Sequence, residues 1–166
     1  MGGPEAVARQ HAAGKLTVRE RIDLLADKGS FTEIGTLAQY KPIDAEGNVL
    51  PGHPSSYVSG LAKVDGRPAA VGGEDWTSGG GIATLIYLDR SKGEVGGFVE
   101  DLAHEYRIPL LMCIEGVGGG VAVQQNKGHA TIVSTTRFQR SFAILSEVPV
   151  LTALVGLSAG GASARV

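Results

Sequence analysis

Two kinds of apolar pattern divide the chain. Near the start, apolar residues recur at helical spacing; later they come in continuous runs that stop at glycines. Pro4 stands at a first helical position that tolerates proline, and residues 4–13 continue the helix until Gly14. Thr17 and Glu20 have the spacing of a capping box, in which each side chain satisfies a backbone N–H that the helix leaves unpaired. The helix opened there is expected to turn Ile22, Leu24 and Leu25 toward a core and to stop near Lys28 and Gly29. A short strand is expected over residues 31–34, and a loop from Gly35 to Ser56.

Residues 57–64 and 67–72 read as two strands joined by Asp65-Gly66, a pair suited to a type I′ hairpin turn. A glycine-rich stretch from Ser78 to Gly81 precedes a helical pattern reaching Tyr106, with a break near Gly96-Gly97. Residues 109–115 are continuously apolar up to Glu115, as in a buried strand. Glycines follow at 116 and 118–120, then a more polar helical segment to about Glu147. Residues 149–155 read as a second buried strand, ending in a turn over residues 156–161. Strand, glycine-rich turn, helix, repeated, predicts an α/β fold with neighbouring parallel strands. No linker divides the chain, so one domain is expected over residues 1–166.

Composition narrows the function. The 15 basic and 17 acidic residues are interspersed, with a net charge of −2, which gives no dedicated nucleic-acid surface. No apolar run approaches the roughly 20 residues of a membrane-spanning helix, and the polar first residues form no signal-peptide core. A cytoplasmic protein, or one of an organelle matrix, is the expectation. The single cysteine, Cys113, excludes an internal disulfide and reads as a small core residue. The 25 glycines are about twice the usual share of roughly 7%. They cluster after apolar runs, where such turns aim unpaired N–H groups at a phosphate or a reacting oxygen, or simply allow tight packing.

Several familiar chemistries fail in detail. A dinucleotide fingerprint starting at Gly116 lacks the glycine required at position 121, which is Val121. A P-loop needs Gly-Lys followed by Ser or Thr, which does not occur. The four histidines, His11, His53, His104 and His129, lack metal-binding spacing, so no metal is expected. Residues 156–160 match G-x-S-x-G around Ser158, but every histidine precedes that serine, against the chain order of a nucleophile-elbow hydrolase. Arg19 and Arg21 read as a solvated helix face or as ion-pair partners. Glu115, bordering a glycine cluster, is a candidate base without a visible partner, and Trp76 either lines a ligand cleft or packs.

The stretch GPEAVARQHAAGKLTVRERIDLLADKGSF, from Gly3 to Phe31, resembles the opening of carboxyltransferase (β) subunits of biotin-dependent acyl-CoA carboxylases, the propionyl-CoA and methylcrotonyl-CoA types. The Asp65-Gly66-Arg67-Pro68 hairpin, the glycine turn near Trp76 and the Ala159-Gly160-Gly161-Ala162 turn resemble the same family. The resemblance covers nearly the whole chain but only the N-terminal part of such a subunit. It implies a crotonase-like spiral of β-β-α units, here incomplete, with residues 1–30 as a helical leader and 31–166 as the start of the core.

The activity implied is transfer of a carboxyl group from carboxybiotin, held on a carrier protein or domain, to the α-carbon of an acyl-CoA. Gly160 and Gly161 match the backbone oxyanion turn for the acyl thioester. Ser78, Gly79, Gly80 and Gly81 match a turn lining the coenzyme A cleft, with Ala159 beside it. Gly118 and Gly119 match the paired glycines of an Asp-Ser-Gly-Gly-Ala-Arg motif, in which Gly116, Val117 and Val121 replace Asp, Ser and Arg. Implied partners are a biotin carboxylase, a biotin carboxyl carrier subunit and further copies of the chain. A biotin-dependent acyl-CoA decarboxylase component, a non-catalytic paralogue and the serine hydrolase remain as alternatives, and the 166 residues alone are expected to be inactive.

Overall fold

The computed structural model describes residues 2–37, 39–40, 44, 46–49, 51–78, 97–116 and 142–158. Two N-terminal helices, α1 (Pro4–Ala12) and α2 (Val18–Leu25), precede strand β1 (Thr32–Ile34). Two-residue strands β2 (Gln39–Tyr40) and β3 (His53–Pro54) pair with each other inside the expected loop. The core then runs β4 (Tyr57–Val64), β5 (Arg67–Glu74), α3 (Gly97–Tyr106), β6 (Leu110–Gly116) and β7 (Val150–Ser158). The main sheet has the order β1-β4-β5-β6-β7. β1, β4 and β5 are antiparallel, whereas β5, β6 and β7 run parallel. Hairpin, helix and parallel strand make one β-β-α unit, and the fold is crotonase-like.

The capping box forms as the spacing predicts. The Glu20 N–H donates to the Thr17 hydroxyl at 3.3 Å, and the Thr17 N–H donates to the Glu20 carboxylate at 2.7 Å. Such a cap contributes about 1 kcal/mol to the helix it opens. The helix stops at Leu25, short of the expected Lys28, because Ala26 adopts an extended backbone. The apolar stripe of α2 is Val18, Ile22 and Leu25, one face at intervals of four and three residues. Leu24 lies two residues beyond Ile22, on the opposite side, and is 76% exposed, contrary to the expectation from sequence.

The hairpin turn also forms as predicted. Asp65 and Gly66 both have positive φ, 49° and 75°, as a type I′ turn requires. Asp27, just past α2, accepts from the N–H groups of Asp65 at 3.0 Å and Gly66 at 2.8 Å, which ties the end of α2 to the turn.

Strand alternation divides the core between the two faces of the sheet. On one face α2 covers Val58, Ala62, Ala69 and Val71. On the other, Val99, Leu102 and Ala103 of α3 pack on Ala70, Leu110, Met112 and Ile114. Cys113 is buried, and burial pushes its thiol pKa up, in keeping with a core role.

The second strand read as buried needs correction. β7 is real and reaches Ser158, so Gly156 and Leu157 belong to the strand and not to the turn. Among the described residues only β6 pairs with it, and Leu151, Leu154 and Leu157 are each more than half exposed.

Candidate functional site

β5, β6 and β7 lie side by side and point the same way, so their carboxyl ends open on one edge of the sheet. That edge is where open α/β sheets bind ligands. Each strand leads into one of the segments singled out from sequence. β5 leads toward Ser78 and Gly79–Gly81, β6 toward Gly118 and Gly119, and β7 toward Ala159, Gly160 and Gly161. The neighbouring ends of β6 and β7 are paired at Gly116 and Ser158.

Of the predicted site residues, Ser78 alone is described. It is buried, in a turn directly after β5 where its N–H donates to the Asp75 carbonyl at 3.0 Å. The Asp75 carboxylate organises this turn, accepting from the N–H of Thr77 at 3.0 Å and from its hydroxyl at 2.6 Å. The Thr77 hydroxyl accepts in turn from the N–H of Gly2 at 3.0 Å. Gly79, Gly80, Gly81, Gly118, Gly119, Ala159, Gly160 and Gly161 lie outside the described residues.

Glu115 occupies the centre of the edge and has the partners that sequence reading could not supply. Alternation along β6 puts Leu111, Cys113 and Glu115 on the face covered by α2. The Glu115 side chain is fully buried. The Lys15 ammonium meets one carboxylate oxygen at 2.9 Å; Arg21, at 2.5 Å, and the Gln10 amide, at 3.1 Å, meet the other. Its own N–H donates to the Glu74 carboxylate at 3.0 Å. Lys15 also stands 5.5 Å from the centre of the Trp76 ring, so this tryptophan packs under the clamp. Arg19 turns elsewhere and pairs with Glu33.

Local sequence explains how this cluster assembles. Gln10 lies on α1, Lys15 follows Gly14 after the helix has ended, and Arg21 is on α2, one residue from buried Ile22. The cap at Thr17 therefore sets the angle between two segments that reach the same carboxylate. Only Glu115 was visible as a candidate from sequence; Lys15, Gln10 and Glu74 are distant in the chain and carried no local signal. Among the described residues there is no cluster able to hold a metal ion, and no helix is long and apolar enough to cross a membrane.

The Glu115 carboxylate is engaged by two cations and an amide, which makes it a buried counter-ion. At this edge β5, β6 and β7 end side by side, each continuing in the sequence into a glycine-bearing segment. The described strands and helix make this a crotonase-like fold.

Comparison with known proteins gives the family. Residues 9–164 match the carboxyl transferase domain, and the chain belongs to that family. It is 33% identical over 161 residues to the propionyl-CoA carboxylase beta chain of Saccharopolyspora erythraea, covering 97% of this chain and 28% of that protein. It is 31% identical to the propionyl-CoA carboxylase carboxyltransferase subunit of Haloferax mediterranei, covering 97% of this chain and 30% of that protein. The chain thus spans less than a third of these relatives. Among solved structures, transcarboxylase 12S, described as a hexamer assembly with methylmalonyl-coenzyme A bound, superposes with a TM-score of 0.72 at 24% identity, over 99% of this chain and 30% of that one. A single-chain, multi-domain long-chain acyl-CoA carboxylase superposes at 0.69 with 29% identity, over 90% of this chain and 15% of that one.

Proposed function

We propose that this chain supplies part of the acyl-CoA side of a carboxyltransferase that moves a carboxyl group from carboxybiotin to the α-carbon of an acyl-CoA. The observation that supports it is the alignment of β5, β6 and β7, each leading into one glycine-bearing segment at the same edge. Lys15 and Arg21 are engaged by Glu115, so in this reading the thioester oxygen is left to backbone N–H groups. Gly160 and Gly161 would donate them, and their value lies in being fixed before charge develops. Ser78–Gly81 and Ala159 would line the coenzyme A cleft, with Gly118 and Gly119 facing it from β6. Carboxybiotin, when delivered, supplies both the carboxyl group and the acceptor for the α-proton, so no side-chain nucleophile is needed.

The same reading treats residues 1–30 as a leader and 31–166 as the start of a core. It adds a biotin carboxylase, a biotin carboxyl carrier and further copies of the chain as partners, in the cytoplasm or an organelle matrix.

The test uses the polypeptide at its natural length, with propionyl-CoA and a carboxylated biotin carrier. Gly160→Val or Gly161→Val is expected to lower turnover by about 10²–10³, the scale of losing one oxyanion donor. Ser158→Ala should do far less. Calorimetric titration should show binding of propionyl-CoA in preference to NAD. Tighter binding of NAD, or turnover abolished by Ser158→Ala and untouched by the glycine variants, would sink the proposal.

A further inference from the structure

Glu115 has no part in the function proposed above, yet it is a fully buried charge held by three side chains. Burying an ion pair is a poor route to stability, because desolvation of the charges offsets their attraction. Its position points to another use. Glu115 is the penultimate residue of β6, and Gly116 pairs with Ser158, the last residue of β7. Between the pairs Ile114–Leu154 and Gly116–Ser158, β6 advances two residues while β7 advances four. β7 therefore bulges beside Glu115, and Gly156 lies in that bulge. A Cβ on Gly156 would fall 2.1 Å from a Glu115 carboxylate oxygen and 2.2 Å from its carboxyl carbon. The carboxylate cannot swing away cheaply, since Lys15, Arg21 and Gln10 hold it from the leader side.

We infer that Glu115 is a positioning residue. Clamped by the leader, it occupies the space that forces the bulge in β7, and so sets where β6 and β7 leave the sheet. Those exits lie two residues before Gly118 and Gly160 in the sequence, so α1 and α2 act through this carboxylate on where the chain enters its glycine-bearing segments. The catalytic consequence rests on the function proposed above; the control of the strand ends does not.

Glu115→Gln keeps the volume and removes the charge that holds Lys15 and Arg21. Lys15→Met is the milder companion, since its side chain is 37% exposed. Hydrogen exchange in the natural-length polypeptide should quicken at residues 110–116 and 150–158 in both variants, while α3 keeps its protection. Leu102→Ala, in the opposite core, serves as a control for general destabilisation. In carboxyl transfer, Glu115→Gln should lower kcat by about 10², the scale of an ångström's misplacement, with KM for acyl-CoA little changed. Leu102→Ala should leave kcat intact at a temperature where it is folded.

Unchanged exchange at the two strand ends, or a rise spread evenly over the molecule, would overturn the inference. So would equal loss of kcat in Leu102→Ala. If the unaltered protein shows no carboxyl transfer, the functional proposal falls, and the exchange experiment still decides whether Glu115 positions the strand ends.

Discussion

Arg21→Met should cost far more stability than Lys15→Met, although both remove one cation from the same carboxylate. The Arg21 side chain is 9% exposed and that of Lys15 is 37% exposed. Methionine retains much of the apolar stem of either residue, so the comparison isolates the charged head. Without Arg21, the fully buried Glu115 loses its drier partner, the situation in which a broken buried pair costs about 3–5 kcal/mol. At roughly 2–4 °C per kcal/mol for a chain of this size, the melting temperature should drop by about 6–20 °C. Lys15 is partly solvated, so its pair is worth about 0.2–1 kcal/mol. Its place over Trp76 adds about 0.5–1 kcal/mol, for a drop of no more than about 8 °C. Urea titration and thermal melts followed by circular dichroism would measure both. Equal losses, or a larger loss for Lys15→Met, would refute the assignment of Arg21 as the buried counter-ion.

Thr17→Ala removes the acceptor for the Glu20 N–H and should cost about 0.5–2 kcal/mol by urea titration; a change within error would mean the cap is dispensable. The His11 side chain, followed by the N–H and hydroxyl of Thr17, holds the Glu20 carboxyl down at about 2, against an ordinary value of 4.5. A depressed carboxylate stabilises the fold fully above its ordinary value, and that contribution fades as pH falls through about 2. An NMR titration should therefore find the Glu20 midpoint near 2, and His11→Ala should raise it; a midpoint already at the ordinary value would remove the effect. Gly66→Ala places a Cβ at φ 75° in the hairpin turn and should cost about 1–2 kcal/mol, read by the same titration; an unchanged midpoint would show that the turn relaxes freely.

Local signals carried the elements of this fold, and packing decided how they are used. The capping box, the Asp65-Gly66 turn and the apolar runs of β6 and β7 are short-range features. Each depends on backbone conformation within a few residues, so each was legible in the sequence. The family was legible as well, because the stretch from Gly3 to Phe31 is long and ordered. Exposure was less so. Leu24 is as apolar as Leu25, but helix geometry turns it to the solvent side. β7 reads as buried because its residues are apolar, whereas it lies at the edge of the described sheet. The clamp on Glu115 was beyond local reading altogether. Gln10 and Lys15 stand 105 and 100 residues away in the chain, and a charge on a helix looks the same whether it faces water or a buried carboxylate. Sequence determined that Arg21 is charged and that Glu115 ends an apolar strand. Only the tertiary structure brought Gln10, Lys15 and Arg21 over the carboxyl end of β6, where desolvation requires each charge to find the other.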